Sequence, residues 1–259
     1  FWQKAQLLEF SHKYDAAVAL LDEWIGLASR LEGYSAQQFI LHSLSEKARI
    51  LEQQGRDHDA IIVCDEAIQR FGNVKDQFGK STLLKFLYQK ARAFAKWNSD
   101  AEYAVHEEII RRFRHAPENE CWESILNSFL SKARHLKFNR KIDEALSTYD
   151  DIARYCIKAK GEYVPNLIAE ALMEKADLQI ELRDHNGALA TYDKIDQLLR
   201  NAKNHLPLGR VAEALVRKAR LLGELGNAEE AISICDMVVS RFSGVDGYWA
   251  REQTAEAFL

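Results

Sequence analysis

Apolar residues along this chain recur at intervals of three and four positions, in pairs of stripes that a short polar turn separates. The segment 211–238 shows one such pair: Val211, Leu215, Ala219 and Leu222, then Ala231, Ile234, Cys235 and Val238. This spacing places the apolar side chains on one face of an α-helix. Each pair of stripes therefore predicts a helical hairpin, whose two helices we call helix A and helix B. The presence of only 3 prolines argues against a sheet-and-turn architecture.

The hairpins repeat with a period of about 43 residues, which the dipeptide Lys-Ala marks. Its lysines are Lys4, Lys47, Lys90, Lys132, Lys175 and Lys218. The step from Lys90 to Lys132 is one position shorter than the others, which indicates a single deletion in the third repeat. Thirteen residues after the lysine most repeats have alanine, while the third has Tyr103. One hairpin cannot bury both of its apolar faces, so neighbouring repeats must stack and the alanine columns must lie in the core.

The turns between helix A and helix B also follow the repeat. Gly55, Asn98, Asn139 and Gly226 stand where a residue with left-handed backbone conformation can end a helix. Acidic residues follow, as in Glu229-Glu230, and place negative charge in the first turn of helix B.

The pattern Ala214-Leu215-x-x-x-Ala219-x-x-Leu222-x-x-x-Gly226-x-x-x-x-Ala231 resembles the tetratricopeptide repeat (TPR) family. The resemblance covers essentially the whole chain. It implies an all-α fold, an α-solenoid of antiparallel helix-turn-helix hairpins wound into a right-handed superhelix. The family's usual unit has about 34 residues, and we expect the additional nine to extend the front of helix A. Trp122 and Phe129 already follow the helical spacing upstream of Lys132.

We expect residues 1–259 to form a single TPR-like domain of about six repeats. Phe1 falls in the column of Leu215, and the segment 255–259 matches 212–216. The sequence thus begins and ends within a helix A, and we expect it to be a fragment of a longer protein, truncated mid-helix at both ends.

Composition and charge exclude several classes of protein. A chain that is 47% apolar is not disordered, and a net charge of −4 disfavours sequence-independent binding to nucleic acid. No apolar run approaches the length of about 18 residues that a membrane span requires. The four cysteines contain no C-x-x-C pair, so we expect free thiols and a cytoplasmic location.

Sequence motifs for catalysis or metal binding are incomplete. Gly79-Lys80-Ser81 lacks the upstream glycine of a phosphate-binding loop, and we interpret it as a loop glycine followed by a serine N-cap. His106-Glu107 lacks the second histidine of a zinc-protease motif, because Ile110 takes its place. We predict no catalytic residues, no metal and no cofactor. A helical-toroid enzyme would need carboxylates such as Asp150 and Asp151 to converge on one closed cavity.

Two charged columns run through the repeats. An acid stands eighteen residues after each marker lysine, for example Asp22 after Lys4. In an antiparallel hairpin these two positions lie within about one turn of each other, which predicts a ladder of salt bridges. The alternative is that the lysines face a binding partner.

The resemblance also implies a binding surface, the concave face formed by the helices A. Its predicted partner-binding residues are Arg49, Lys85, Tyr88, Arg92, Lys96, Asn127, Arg134, Lys137, Asp177 and Arg220. The face is mainly basic in repeats two to four and mainly acidic in repeats five and six. We therefore expect a scaffold that binds a protein or peptide of complementary charge. The alternatives are a sensor or regulatory arm of a signalling or ATPase protein, and a spacer with solvated faces.

Overall fold

The computed structural model describes residues 2–72, 77–114, 122–155, 163–200, 205–243, 252–253 and 256–257. The part of the chain so described contains α-helices and no strand. The helices A are α1 (Trp2–Phe10), α3 (Tyr34–Gln53), α5 (Gln77–Phe94), α7 (Trp122–Phe138), α9 (Val164–Glu181) and α11 (His205–Glu224). The helices B are α2 (Tyr14–Ala28), α4 (Asp57–Phe71), α6 (Ser99–Phe113), α8 (Ile142–Tyr155), α10 (His185–Leu199) and α12 (Ala228–Phe242).

The helices are grouped in two compact units, unit 1 (Phe1–Ser131) and unit 2 (Lys132–Leu259). In unit 1, α3 packs against α2, α4 and α5, and α5 packs against α4 and α6. In unit 2, α9 packs against α8, α10 and α11, and α11 packs against α10 and α12. A helix A therefore contacts the helices B on both sides of it in the sequence, which confirms the predicted stacking of hairpins in each unit.

The extra residues of the long repeat lengthen helix A, as predicted. α3 and α11 have 20 residues each, whereas α4 and α12 have 15. The interpretation of Gly79-Lys80-Ser81 as a loop and a cap is wrong, because all three residues lie inside α5. They belong to the N-terminal extension of α5 that the long repeat adds.

Most alanines of the two columns lie in the core, because small side chains let the helices approach closely, but Ala231 is only partly buried. Ala48, Ala91, Ala145 and Ala188 are at most 1% exposed. Cys64 is equally buried, and burial raises the pKa of its thiol to about 12. Cys235, which the same column predicts to be buried, is only partly buried. Cys121 and Cys156 lie outside the described residues.

The left-handed turn residue stands eight positions after the marker lysine. Gly55 (φ 72°) and Gly226 (φ 84°) confirm the prediction. The same conformation occurs at His12 (φ 56°), Arg140 (φ 59°) and Arg183 (φ 63°). The prediction is wrong for Asn139, which stands one residue too early. It is also wrong for Asn98, whose side chain caps α6 by accepting a hydrogen bond from the Ala101 backbone N–H.

The deletion in the third repeat lies in this same turn. α4 and α6 both have 15 residues, and each ends at the phenylalanine that closes helix B. When these two helices are aligned end to end, Glu102, and not Tyr103, occupies the alanine column in the third repeat. By the same alignment His106 takes the place of Cys64, the place that Tyr149 and Tyr192 occupy in unit 2.

Candidate binding surface

The marker lysines form the predicted ladder of salt bridges, but the ladder joins neighbouring repeats. Its described pairs are Lys47–Asp22 (2.5 Å), Lys90–Asp65 (2.5 Å), Lys175–Asp150 (2.8 Å) and Lys218–Asp193 (2.7 Å). Each acid lies on helix B of the repeat that precedes its lysine. The prediction that each lysine pairs with the acid of its own hairpin is therefore wrong. Helix A also packs against helix B of the preceding repeat, and the lysine binds the acid on that helix. The lysine side chains are only 12–21% exposed, so they contribute to the packing between repeats.

In unit 1 the predicted binding residues Arg49 on α3, Arg92 on α5 and Lys96 in the turn after α5 are each in an ion pair. Arg49 donates two hydrogen bonds to the carboxylate of Glu9 (2.8 and 2.7 Å). These bonds lower the pKa of Glu9 and raise that of Arg49. Arg92 pairs with Glu52 at 2.9 Å, and Lys96 pairs with Asp57 at 2.6 Å.

In unit 2 the corresponding residues form a network with acids of the next repeat. Arg134 pairs with Glu170 (2.7 Å) and Glu174 (2.5 Å), and its hydrogen bonds to Glu174 are the main reason that its pKa is raised. Glu174 also accepts a hydrogen bond from the Tyr149 hydroxyl (3.0 Å). Two further pairs are Lys137–Glu181 (2.8 Å) and Arg217–Asp177 (3.0 Å), and Arg220 pairs with Glu256.

Three of the predicted binding residues have no ion pair among the described residues: Lys85, Tyr88 and Asn127. Lys85 is exposed, whereas Tyr88 and Asn127 are partly buried. Tyr88 lies edge-on to His106, with 6.3 Å between the ring centroids, and burial raises its pKa. The charges of most predicted residues are thus already matched within the chain. The sequence did not predict that acids of the same face, such as Glu9 and Glu52, pair with these residues, although both acids stand five residues after a marker lysine.

Unit 1 has a cavity of about 570 Å³ between α3 and α5. Its lining includes Phe39, His42, Ser45, Ser81, Thr82 and Lys85, and none of the lining residues in the described ranges is acidic. The whole of α5 contains no Asp or Glu. We call this the basic cavity, because Lys85 is the charged residue that lines it.

A second cavity of unit 1, about 400 Å³, lies between α2 and the front half of α3. Leu20, Leu21, Trp24, Phe39, His42 and Ser43 line it together with Ala5. We call it the apolar cavity. Trp24 and Phe39 meet edge-to-face, with 6.0 Å between their ring centroids.

Unit 2 has a cavity of about 400 Å³ that carries the opposite charge. Its charged lining residues are Asp177, Glu213, Arg217, Arg220, Glu224 and Glu256, four acids and two arginines. Glu224 is exposed and has no ion pair among the described residues. We call this the acidic cavity.

Unit 1 also contains a buried polar cluster around His106, which is 4% exposed. The Nδ1 atom lies 3.1 Å from the Ser128 hydroxyl, and Nε2 lies 3.5 Å from a carboxylate oxygen of Glu102. Burial lowers the pKa of His106 to about 4. The imidazole is therefore neutral at physiological pH.

The described residues hold no group of three or more His, Cys, Asp or Glu side chains that could bind a metal ion. In the same part of the chain, no helix is both long enough and apolar enough to span a membrane.

These features define an all-helical repeat protein built from stacked hairpins of a single long period. The tetratricopeptide repeat family profile matches residues 213–244. The chain therefore has a tetratricopeptide-like helical repeat fold with a long period.

Solved structures of low sequence identity share the fold. The chain is 14% identical to BtubC (BKLC) from P. vanneervenii, with a TM-score of 0.59 and coverage of 93% of this chain and 91% of that one. A putative kinesin light chain from Podosopora anserina, with nearly identical TPR-like repeats, is 17% identical (TM-score 0.50; 84% and 96% covered). The apo form of the quorum sensor NprR from B. thuringiensis is 14% identical (TM-score 0.50; 99% and 67% covered). A search of curated protein sequences gave no significant match.

Proposed function

We propose that this chain is a non-enzymatic scaffold that binds a protein or peptide partner on the faces formed by its helices A. The observation that carries the proposal is the basic cavity between α3 and α5, whose Lys85 is exposed and unpaired among the described residues. Concave sites that combine apolar walls with a few polar groups are typical ligand sites. None of the described residues that line this cavity is acidic, so an acidic segment is the complementary ligand.

The arginines of the same face have a different role in this proposal. Arg49 is bound by Glu9 and Glu46, and Arg134 by Glu170 and Glu174. A partner carboxylate would have to displace an internal one, with little net gain. These arginines therefore hold neighbouring repeats in register, and Lys85 remains available for a ligand.

Unit 2 takes the complementary part in the same proposal. The acidic cavity has four carboxylates against two guanidinium groups, and Glu224 is unpaired among the described residues. A basic segment is its matching ligand. The two units would thus select partners by opposite charges.

The test is a charge reversal on α5 with a matched control on the same helix. Binding of acidic peptides to the full chain should weaken about tenfold in Lys85→Glu, and its dependence on salt should decrease. Lys80→Glu is the control, because Lys80 is also exposed on α5 but does not line the cavity. Equal losses in both variants, or no loss in either, would contradict the proposal.

The alternative is a sensor or regulatory arm of a larger signalling or ATPase protein. In its favour, the quorum sensor NprR shows that a chain of this fold can serve in a sensor. A sensor should respond to a small ligand alone, so a ligand-induced rise in melting temperature without any protein partner would favour this alternative.

A further inference from the structure

Three successive repeats of unit 2 expose a large apolar side chain where helix A ends. Phe138 is the last residue of α7, and Leu182 and Leu225 directly follow α9 and α11. Their exposed fractions are 84%, 47% and 41%. None of the three lines the acidic cavity of this unit, so they form a surface separate from the one that the proposed function uses.

The stacking of the repeats brings these side chains into one row along the turns. Lys137 and Glu181, which immediately precede Phe138 and Leu182, form an ion pair at 2.8 Å. The helices α9 and α11 pack against each other, and each ends at the residue before its exposed leucine. Packed helices lie about 8–10 Å apart, so the row is about 16–20 Å long. A single exposed apolar residue needs no explanation, but three at equivalent places form a patch.

The two ends of the row differ in charge. Next to Phe138, the turn residues Arg140 and Lys141 are exposed and have no ion pair among the described residues. At the other end, Glu229 and Glu230 stand in the first turn of α12, and they too are exposed and unpaired in the described part of the chain. The row therefore has available cations at one end and available carboxylates at the other.

This distribution of charge favours one way of pairing the row with a second copy of itself. In a parallel pairing, Glu229 and Glu230 would face the same two acids of the second copy, and like charges repel each other. In an antiparallel pairing about a two-fold axis, they come close to Arg140 and Lys141 of the second copy, and Leu182 meets its own copy at the axis. Acids also open α8, so the pairing depends on the two cations at that end and not on its net charge.

We infer that unit 2 forms a two-fold dimer with a second copy of this chain, in which the rows of Phe138, Leu182 and Leu225 pair in antiparallel order. The apolar side chains leave water at the centre of the interface, and ion pairs at its rim set the direction. Three side chains and their flanking charges cover less than the about 800 Å² per partner that stable complexes bury. The dimer is therefore weak and depends on protein concentration.

The experiment is sedimentation velocity of the full chain at concentrations from about 5 to 500 µM, across which a weak dimer should form. Leu182→Asp places two carboxylates at the axis and should weaken dimerisation at least tenfold, that is, by about 1.4 kcal/mol or more. Phe138→Asp should act in the same direction, at a position so exposed that the fold does not depend on the side chain. Ile62→Asp is the control, because Ile62 is 65% exposed on α4 and lies outside the row.

A charge swap tests the direction of the pairing. Changing Arg140 and Lys141 to Glu, or Glu229 and Glu230 to Lys, should weaken the dimer about threefold to tenfold, and both changes in one chain should restore it.

Four outcomes count against the inference. A chain that stays monomeric over the whole range overturns it, and so does a dimer that Leu182→Asp and Phe138→Asp leave intact. Failure of the combined charge swap to restore the dimer rules out the antiparallel order. Binding of a monomeric chain to vesicles of anionic phospholipid, lost in Phe138→Asp, would assign the row to a membrane surface instead.

Discussion

The two units use the same repeat position in opposite ways. Two residues after the marker lysine, unit 1 has Arg49 and Arg92, which pair with acids on helix A of the preceding repeat. In unit 2, Arg134 and Asp177 pair with residues on helix A of the following repeat, Glu174 and Arg217. The fold therefore brings this position close to both neighbouring repeats, and the distribution of acids decides which neighbour it binds.

This difference explains where unmatched charge remains. The position five residues before the marker lysine carries His42 and Lys85 in unit 1 but Glu170 and Glu213 in unit 2. In unit 2 these acids enter ion pairs with Arg134 and Arg217. In unit 1 no acid reaches Lys85 among the described residues. Ion pairs between repeats are thus common to both units, whereas the leftover charge differs in sign.

Acid should destabilise the environment of His106 in unit 1 and spare the matching positions of unit 2. His106 has a pKa near 4 when folded and about 6.5 when unfolded, so the unfolded chain binds more protons between these values. The stabilisation is complete above pH 6.5 and is lost as the pH falls towards 4, by up to about 3 kcal/mol. Tyr149 and Tyr192 do not titrate in this window. Denaturant unfolding at a series of pH values measures the loss.

His106→Gln is the variant for this prediction, with Tyr149→Phe as the control in unit 2. The pH dependence between about 6.5 and 4 should flatten in the first variant and persist in the second. Glu102 and Tyr88 also face the imidazole. An unchanged slope in His106→Gln would show that other groups carry the dependence.

The cores of the two units should respond alike, in contrast to their surfaces. Ala60 in unit 1 and Ala145 in unit 2 are 3% and 0% exposed at the same repeat position. Phenylalanine at either site should cost about 1–3 kcal/mol, measured as the free energy of unfolding, because a close-packed contact between helices must open. Ala231→Phe is the control, since Ala231 is only partly buried and should lose less. An unchanged free energy of unfolding in Ala145→Phe would show that the alanine column does not lie in a close-packed core.

Double-mutant cycles should show the opposite pairing directions. Arg49 with Glu9, and Arg134 with Glu174, should each give a coupling of about 0.5–1 kcal/mol, reduced by their partial exposure. Arg56 with Asp15 is the control, because Asp15 is 84% exposed and the pair should couple by less than about 0.5 kcal/mol. Equal coupling energies in all three cycles would contradict the view that the first two pairs hold neighbouring repeats in register and that the third is a solvated surface pair.

The periodicity of the sequence predicts the helices and their stacking, since the alanine columns and the regular Lys-Ala spacing constrain packing directly. It does not predict which helix a charged residue meets. The marker lysines illustrate this point, because the acid of the same repeat and the acid of the preceding repeat belong to one column. The lysine pairs with the acid of the preceding repeat because helix A packs against helix B of that repeat.

The candidate site was predictable in part for a similar reason. Lys85 follows from its place on helix A, and so does its neighbour Tyr88. The apolar cavity does not, because a void depends on which side chains fail to fill a space.

The last expected effect concerns the turn position eight residues after the marker lysine, which is arginine in two repeats of unit 2 and glycine in the second repeat, in unit 1. Arg140 and Arg183 adopt the left-handed conformation in unit 2, as Gly55 does in unit 1. Arg183→Gly should relieve the clash of the side-chain Cβ and stabilise the chain by about 0.5–1 kcal/mol, even though glycine is more flexible when unfolded. Gly55→Ala should lose a similar amount for the opposite reason, since its backbone must keep φ at 72°. Thermal unfolding of both variants measures the pair of shifts. The direction of each shift is decisive, because an effect of glycine on the unfolded chain alone would destabilise Arg183→Gly and stabilise Gly55→Ala.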